Sequence, residues 1–215
     1  MHGSFEAATR QGKTSSAVAL APFKADKHAV GLGLLSSLRG EVTLFDGKAF
    51  LSLPSPDGSF HTEELGAHED GAAFLVVASV REWQSVSLPQ NTVLDDLPSA
   101  LSELAEGAGV DVERPFPFLL EGGVGNLTLS VIDGSAFAGE REISEDALKA
   151  ASRKATRASC QGTGVGIFAK GEHPDYLVSS PVHLHFVEQS GTLAGHVEHV
   201  DLPSGTRFRL PLARR

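Results

Sequence analysis

Three histidines carry the spacing most able to do chemistry in this chain. His183 and His185 lie two apart within the apolar run Val182-His183-Leu184-His185-Phe186, and His196 follows in Gly195-His196-Val197. Side chains alternate faces along a strand, so His183 and His185 share one face. The intervening Glu188-Gln189-Ser190-Gly191-Thr192 reads as a tight turn between two strands. A two-residue turn centred on Ser190-Gly191 sets His185 directly opposite His196, with Cβ atoms about 4.5–5.5 Å apart on a common face. Three converging imidazoles form a metal site with a position left open for water or substrate. A three-residue turn would slip His196 out of line. Histidines in strands also serve as packing or surface residues, so the whole reading hangs on this register.

A carboxylate is the second feature. Glu41 opens the run Glu41-Val42-Thr43-Leu44-Phe45. With Val42 and Leu44 facing a core, Glu41, Thr43 and Phe45 share the other face. On this pattern alone Glu41 is a solvated strand residue. The lone Cys160 excludes an intrachain disulfide and a cysteine-rich zinc site, and is read as inert. His61, His68 and His173 fall in expected loops and are read as surface residues, and His2-Gly3-Ser4 is left out of the site.

The elements that position these groups are mostly strands. Asp46-Gly47 between Gly40–Phe45 and Lys48–Leu53 is a strong hairpin signal. Phe60–Leu65 reads as a further strand, and the apolar run Ala72–Val80 as one buried on both faces. A helix is expected from Asp96, with Pro98 in its first turn, Leu97, Leu101 and Leu104 on one face, and Gly107 and Gly109 ending it. Phe116–Glu121 and Asn126–Ile132 read as strands around a glycine-rich turn. A second helix is capped by Ser144, carries Ala147, Leu148, Ala151 and Ala155 on one side, and has Arg153, Lys154 and Arg157 near its end. Strands resume at Gly162, and Arg207–Leu212 is the last.

These signals divide the chain into a loosely attached lead-in (1–30), a first half (31–114) carrying Glu41, and a second half (115–215) carrying the histidines. The class is α+β, with strands dominating and two main helices. The chain has 215 residues, a hydrophobic share of 41% and a charged share of 21%, which suits a globular protein with a core. A net charge of −9 argues against a nucleic-acid partner. No apolar run approaches the roughly 18–20 residues of a membrane helix, and the N-terminus lacks a secretory pattern, so a cytoplasmic location is expected. A strand-rich unit with an anionic surface can also self-associate through strand edges into a homo-oligomer.

The stretch Gly31-Leu32-Gly33-Leu34 to Gly40-Glu41, followed by Leu44-Phe45-Asp46-Gly47 and Phe50, resembles the N-terminal signature of the acetolactate decarboxylase family. His183-Leu184-His185-Phe186 with Gly195-His196-Val197, preceded by Gly164–Phe168, resembles its second signature. The likeness spans roughly Gly31 to Val200. It implies two fused β-α-β repeats, a zinc ion or another late divalent metal on His183, His185 and His196, and Glu41 in the same site as an acid or base. The implied reaction is loss of CO₂ from a 2-hydroxy-3-keto acid through a metal-stabilised enediolate, giving acetoin from acetolactate. It also implies an arginine where this chain has Ser130, a threonine at Leu34, and a glutamate beyond Arg215. Arg141, Arg153 and Arg157 are candidate substitutes for that arginine.

The hairpin register that pairs His185 with His196 also places Glu198 opposite His183. There it is a fourth ligand, an orienting group or a replacement acid, or else a carboxylate at the rim. His199 has the opposite parity and should face away from the metal. Two other readings stay open: a metal-dependent hydrolase or isomerase on the same scaffold, and a non-catalytic metal or small-ligand binding module.

Overall fold

The computed structural model describes residues 1–66, 70–137, 143–171 and 180–212. His68, Arg141 and His173 lie outside them. Among the described residues thirteen strands form two sheets whose pairings are all antiparallel, with short helices beside them, and α+β is the class observed.

The first sheet holds β1 (Val18–Ala19), β2 (Ala29–Leu35), β3 (Glu41–Phe45), β4 (Lys48–Pro54), β5 (Phe60–Glu64) and β6 (Gly71–Ser79), in the order β1-β6-β2-β3-β4-β5. Asp46 and Gly47 both take positive φ, +53° and +70°, so the expected hairpin forms with a turn that matches strand twist. The apolar run of β6 is buried over Ala72–Leu75 and only partly so beyond.

Residues 1–30 are not loosely attached. Ser4 Oγ accepts from the Ala7 N–H to cap helix α1 (Phe5–Arg10), and His2 bridges to Leu75 through two backbone hydrogen bonds of 2.8 and 2.9 Å. Helix α2 (Ala21–Lys24) follows β1, with Leu20 fully buried before it. This apolar content was visible, but its partner strand lies some fifty residues on, beyond the reach of local pattern.

The second sheet holds β7 (Trp83–Ser87), β8 (Thr92–Val93), β9 (Phe116–Ile132), β10 (Ser152–Phe168), β11 (Val182–Glu188), β12 (Ala194–Leu202) and β13 (Arg207–Pro211). Strands β7 and β8 come from the first half of the chain yet join this sheet. Helix α3 (Leu97–Gly107) lays Leu97, Leu101 and Ala105 into a core with Phe118, Leu129 and Phe208; of the expected face Leu97 and Leu101 are buried and Leu104 is partly so. Two expectations need correction. Phe116–Ile132 is one strand rather than two around a turn. Helix α4 (Glu145–Ala151) stops early, so Arg153, Lys154, Ala155 and Arg157 stand on β10. In both places long-range pairing decides: β9 and β10 are in register from Ser152↔Ile132 to Phe168↔Phe116, and such a ladder overrides local helix preference.

Along β9 the partner changes. Leu119–Glu121 pair with β13, whereas residues from Gly125 to Ser130 pair with β12. As β12 also pairs with β11, and β11 with β10, the strands β9-β10-β11-β12 close into a ring. Phe118, Leu129, Val131, Leu184 and Phe186 belong to the core that this ring shares with α3. Alternate residues point outward to the first sheet, where Leu119 and Val165 meet Val30, and Val187 and Ala194 meet Phe50. The histidines share that outward parity.

Gly40, just before Glu41, has φ +138°, and a Cβ there would come within 2.1 Å of the Ser52 carbonyl oxygen. Ser37 and Leu38 precede it with φ of 60° and 48°, so the chain enters β3 through a tightly wound loop. Gly40→Ala should destabilise the fold by about 1–3 kcal/mol or more, read as a lowered melting temperature. An unchanged melting curve would show that the loop relaxes freely.

Candidate metal centre

The hairpin of β11 and β12 has the expected register, although its turn is closed by the Gly191 N–H donating to the Glu188 carbonyl at 2.8 Å rather than being centred on Ser190-Gly191. His185 pairs with His196, Phe186 with Gly195 and Val187 with Ala194, and the Glu188 N–H donates to the Leu193 carbonyl at 2.9 Å. His183, His185 and His196 each offer a ring nitrogen, and these three atoms lie within 4.8 Å of one another. Their ring centroids are 4.9 to 5.9 Å apart. His185 is buried and the other two are partly so.

At His196 strand β12 leaves β11 and turns to β9, pairing His196 with Ser130. Its peptide N–H then donates to Glu41 Oε2 across the sheet interface at 3.0 Å. The same oxygen is 3.5 Å from His185 Nε2. Glu41 is thus a buried residue of the centre rather than a solvated one, at 4% exposure. The pattern could not tell a solvent face from one covered by a second sheet.

Thr43, two residues on, makes a 2.9 Å hydrogen bond with His185 Nδ1. Metal binding through Nε2 requires Nδ1 to carry the proton and donate to Thr43 Oγ1. Sequence parity put Thr43 on the face of Glu41, a signal that went unused. Phe5 of α1 was also missed, its ring meeting His183 edge-on at 6.4 Å between centroids. Two further side chains of the first sheet fix the hairpin: Ser52 Oγ donates to the Ala194 carbonyl at 2.8 Å, and the Ala194 N–H donates to Thr62 Oγ1 at 2.7 Å.

Burial sets the protonation states. It lifts the Glu41 carboxyl from its ordinary 4.5 to about 8, against the lowering effect of hydrogen bonds from the His196 and Ile132 backbones. Burial also holds His185 well below its ordinary value, helped by the neighbouring imidazoles, and lowers His196 to about 4. At neutral pH these two imidazoles are therefore uncharged, as ligation demands. The donor set, its closeness and the Thr43 bond fit a divalent ion that accepts imidazole nitrogen, of which zinc is the usual case.

Glu198 is not opposite His183. Strand β12 has passed to β9 there, with a register shift between Val197↔Leu129 and His199↔Thr128, and Glu198 is the extra residue. Its Oε2 bonds Lys154 Nζ at 2.5 Å, while its charge raises the pKa of both Glu41 and His196. His199 is exposed, 3.3 Å from Asp201 and outside the histidine cluster. Cys160 is buried with a thiol pKa raised by burial and by Glu188, so it lacks thiolate character. It lines an open cavity of about 800 Å³ at the glycine-rich part of β9, away from the histidines. His61 is exposed and bonded to Ser55 at 3.0 Å.

A profile of alpha-acetolactate decarboxylase matches residues 11–210. The chain belongs to the alpha-acetolactate decarboxylase family. Among solved structures, a Staphylococcus aureus protein of unknown function described as similar to alpha-acetolactate decarboxylase superposes with a TM-score of 0.77 at 15% identity, over 99% of this chain and 84% of that one. The alpha-acetolactate decarboxylase of Bacillus subtilis strain 168 gives 0.71 at 15% identity, over 94% and 80%. At that identity these likenesses show the fold. No curated protein sequence matches. For this family member, membership supports a decarboxylase-like function. Among the described residues no helix is long and apolar enough to cross a membrane.

Two outcomes test the centre. Thr43→Val should weaken metal affinity about 10–100-fold in a competitive chelator titration, without unfolding the protein. In metal-free protein, His185 and His196 are neutral when folded but protonate when unfolded below 6.5, so stability is lost as pH falls. Glu41 stays protonated when folded up to about 8 but ionises above 4.5 when unfolded, so its contribution is lost as pH rises. Stability of the metal-free form should therefore peak between about pH 6 and 7, and Glu41→Gln should flatten the alkaline limb. A peak near pH 9 would contradict both protonation states.

Proposed function

We infer that this chain is a metal-dependent carboxy-lyase acting on a 2-hydroxy-3-keto acid, with acetolactate, which would yield acetoin, as the first substrate to test. The observation that carries the reading is the meeting of a buried carboxyl from one sheet with a three-histidine cluster from the other. His183, His185 and His196 would hold the metal, zinc being the ion their nitrogens suit best. When bound, the ion supplies Lewis acidity toward the hydroxyl and ketone oxygens of a ketol.

Glu41 performs the proton step. Breaking the bond to CO₂ leaves an electron pair on the former α-carbon, and that carbon must gain a proton to give the neutral hydroxyketone. A carboxyl that keeps its proton at neutral pH can deliver it and then be reprotonated from solvent. Thr43 orients His185, and Phe5 restricts water beside His183. Glu198, tied to Lys154 at the rim, acts by its charge on Glu41 and His196 rather than as a fourth ligand.

The test is metal content and CO₂ release from racemic acetolactate by the purified protein. Activity should disappear with chelation and return with the ion. Glu41→Gln should lower kcat by about 10²–10⁴-fold with unchanged metal content. Metal-loaded protein that releases no CO₂ from this or related ketol acids would overturn the lyase and leave a hydrolase, an isomerase or a binding module.

A further inference from the structure

A decarboxylase of this kind must hold a carboxylate next to its metal, and on the lyase reading the cation doing so belongs to the histidine face. Ser130, buried at 4% exposure, is the cross-strand partner of His196 on β12 and of Lys154 on β10. Directly opposed residues point to one face, so His196, Ser130 and Lys154 form a continuous row across three strands. Of the candidate arginines among the described residues, neither Arg153 nor Arg157 competes. Arg153 pairs with Val131, on the alternate parity, and its guanidinium clasps Asp133 Oδ2 at 2.6 and 3.2 Å. Arg157 pairs with Leu127, also on the alternate parity, and is exposed, donating to the Thr156 carbonyl.

Lys154 in turn holds a carboxylate, that of the bulge residue Glu198, at 2.5 Å. A β-bulge re-aims the side chain that it carries, and here it brings Glu198 to Lys154 from the strand that bears His196. We propose that Lys154 is the anchor for the substrate carboxylate, and that Glu198 occupies this anchor until the acid displaces it. Lysine suits an exchangeable partner. Its ammonium is a point charge on a flexible stem and can swing from one carboxylate to the next, whereas an arginine fork would commit to one planar partner. Glu198 then works as a selectivity filter. A neutral ketol gains nothing by displacing it, while an acid exchanges one ion pair for another.

The test uses metal-loaded protein and two inert probes that share a vicinal diol: 2,3-dihydroxy-2-methylbutanoate, which carries a carboxylate, and 2,3-butanediol, which does not. Calorimetry should show Lys154→Met weakening the acid probe at least tenfold, with the diol, metal content and melting temperature unchanged. Lys154→Arg should keep most of the affinity for the acid, and Glu198→Gln should tighten it severalfold. The double variant Lys154→Met/Glu198→Gln should bind the acid as weakly as Lys154→Met. Recovery in the double variant would mean that Lys154 merely offsets Glu198, and would overturn the anchor. Unchanged affinity for the acid in Lys154→Met would overturn it too, and with CO₂ release intact would leave the lyase standing. Wild-type protein that takes up metal yet binds neither probe would overturn both.

Discussion

One hydrogen bond governs this architecture: the His196 N–H to the carboxyl of Glu41. At His196 strand β12 passes from pairing with β11 to pairing with β9, and the peptide N–H at that crossover turns to the other sheet rather than to a neighbouring strand. A buried donor without an acceptor costs about 1–3 kcal/mol, and this one finds its acceptor in the other sheet. The same logic applies one turn of the pleat away, where Ser52 and Thr62 take both polar groups of Ala194. Sheet packing would otherwise rest on apolar contacts such as Phe50 against Val187, which tolerate sliding. Directional bonds do not, and they fix where the hairpin sits on the first sheet.

The cost falls on Glu41. A carboxyl with no water around it stays protonated far above its ordinary range, and keeping it there opposes folding at alkaline pH. On the lyase reading, that burden suits a proton donor. The loop that delivers it, with positive φ at Ser37, Leu38 and Gly40, is likewise a local conformation that regular strand packing would not select.

Much of the centre was legible because it is local. The Asp46-Gly47 turn, the parity of His183 and His185, and the pairing of His185 with His196 follow from rules that operate within about ten residues. What escaped was set by distant pairing. Nothing near Gly122–Asn126 announces that β9 continues through its glycines while exchanging β13 for β12, and nothing near Arg153 announces that α4 has ended in favour of a 17-residue ladder. Glu198 shows both sides of the matter. Its proximity to the site was readable, but its partner was not, because the hairpin rule stops applying where β12 changes neighbours and inserts a bulge. Thr43 was within reach, sharing parity with Glu41, and lacked only the knowledge that the face was covered.

The charge balance of the centre gives an order of events. With His185 and His196 uncharged and Glu41 protonated, the interior beside the nitrogens carries little charge of its own, and Lys154 and Glu198 cancel at the rim. A divalent ion held there would not be neutralised by imidazole ligands, so its two positive charges would be weakly screened beside the buried His185 and Glu41. An anion is then the favoured next occupant. A cluster with carboxylate ligands would spend that attraction on the protein itself; on the lyase reading, three histidines would keep it for the substrate. On the lyase reading, neutral ligands inside and an ion pair at the rim that an acid can displace would serve the same end, which is selection for a small acid able to reach both the metal and the rim.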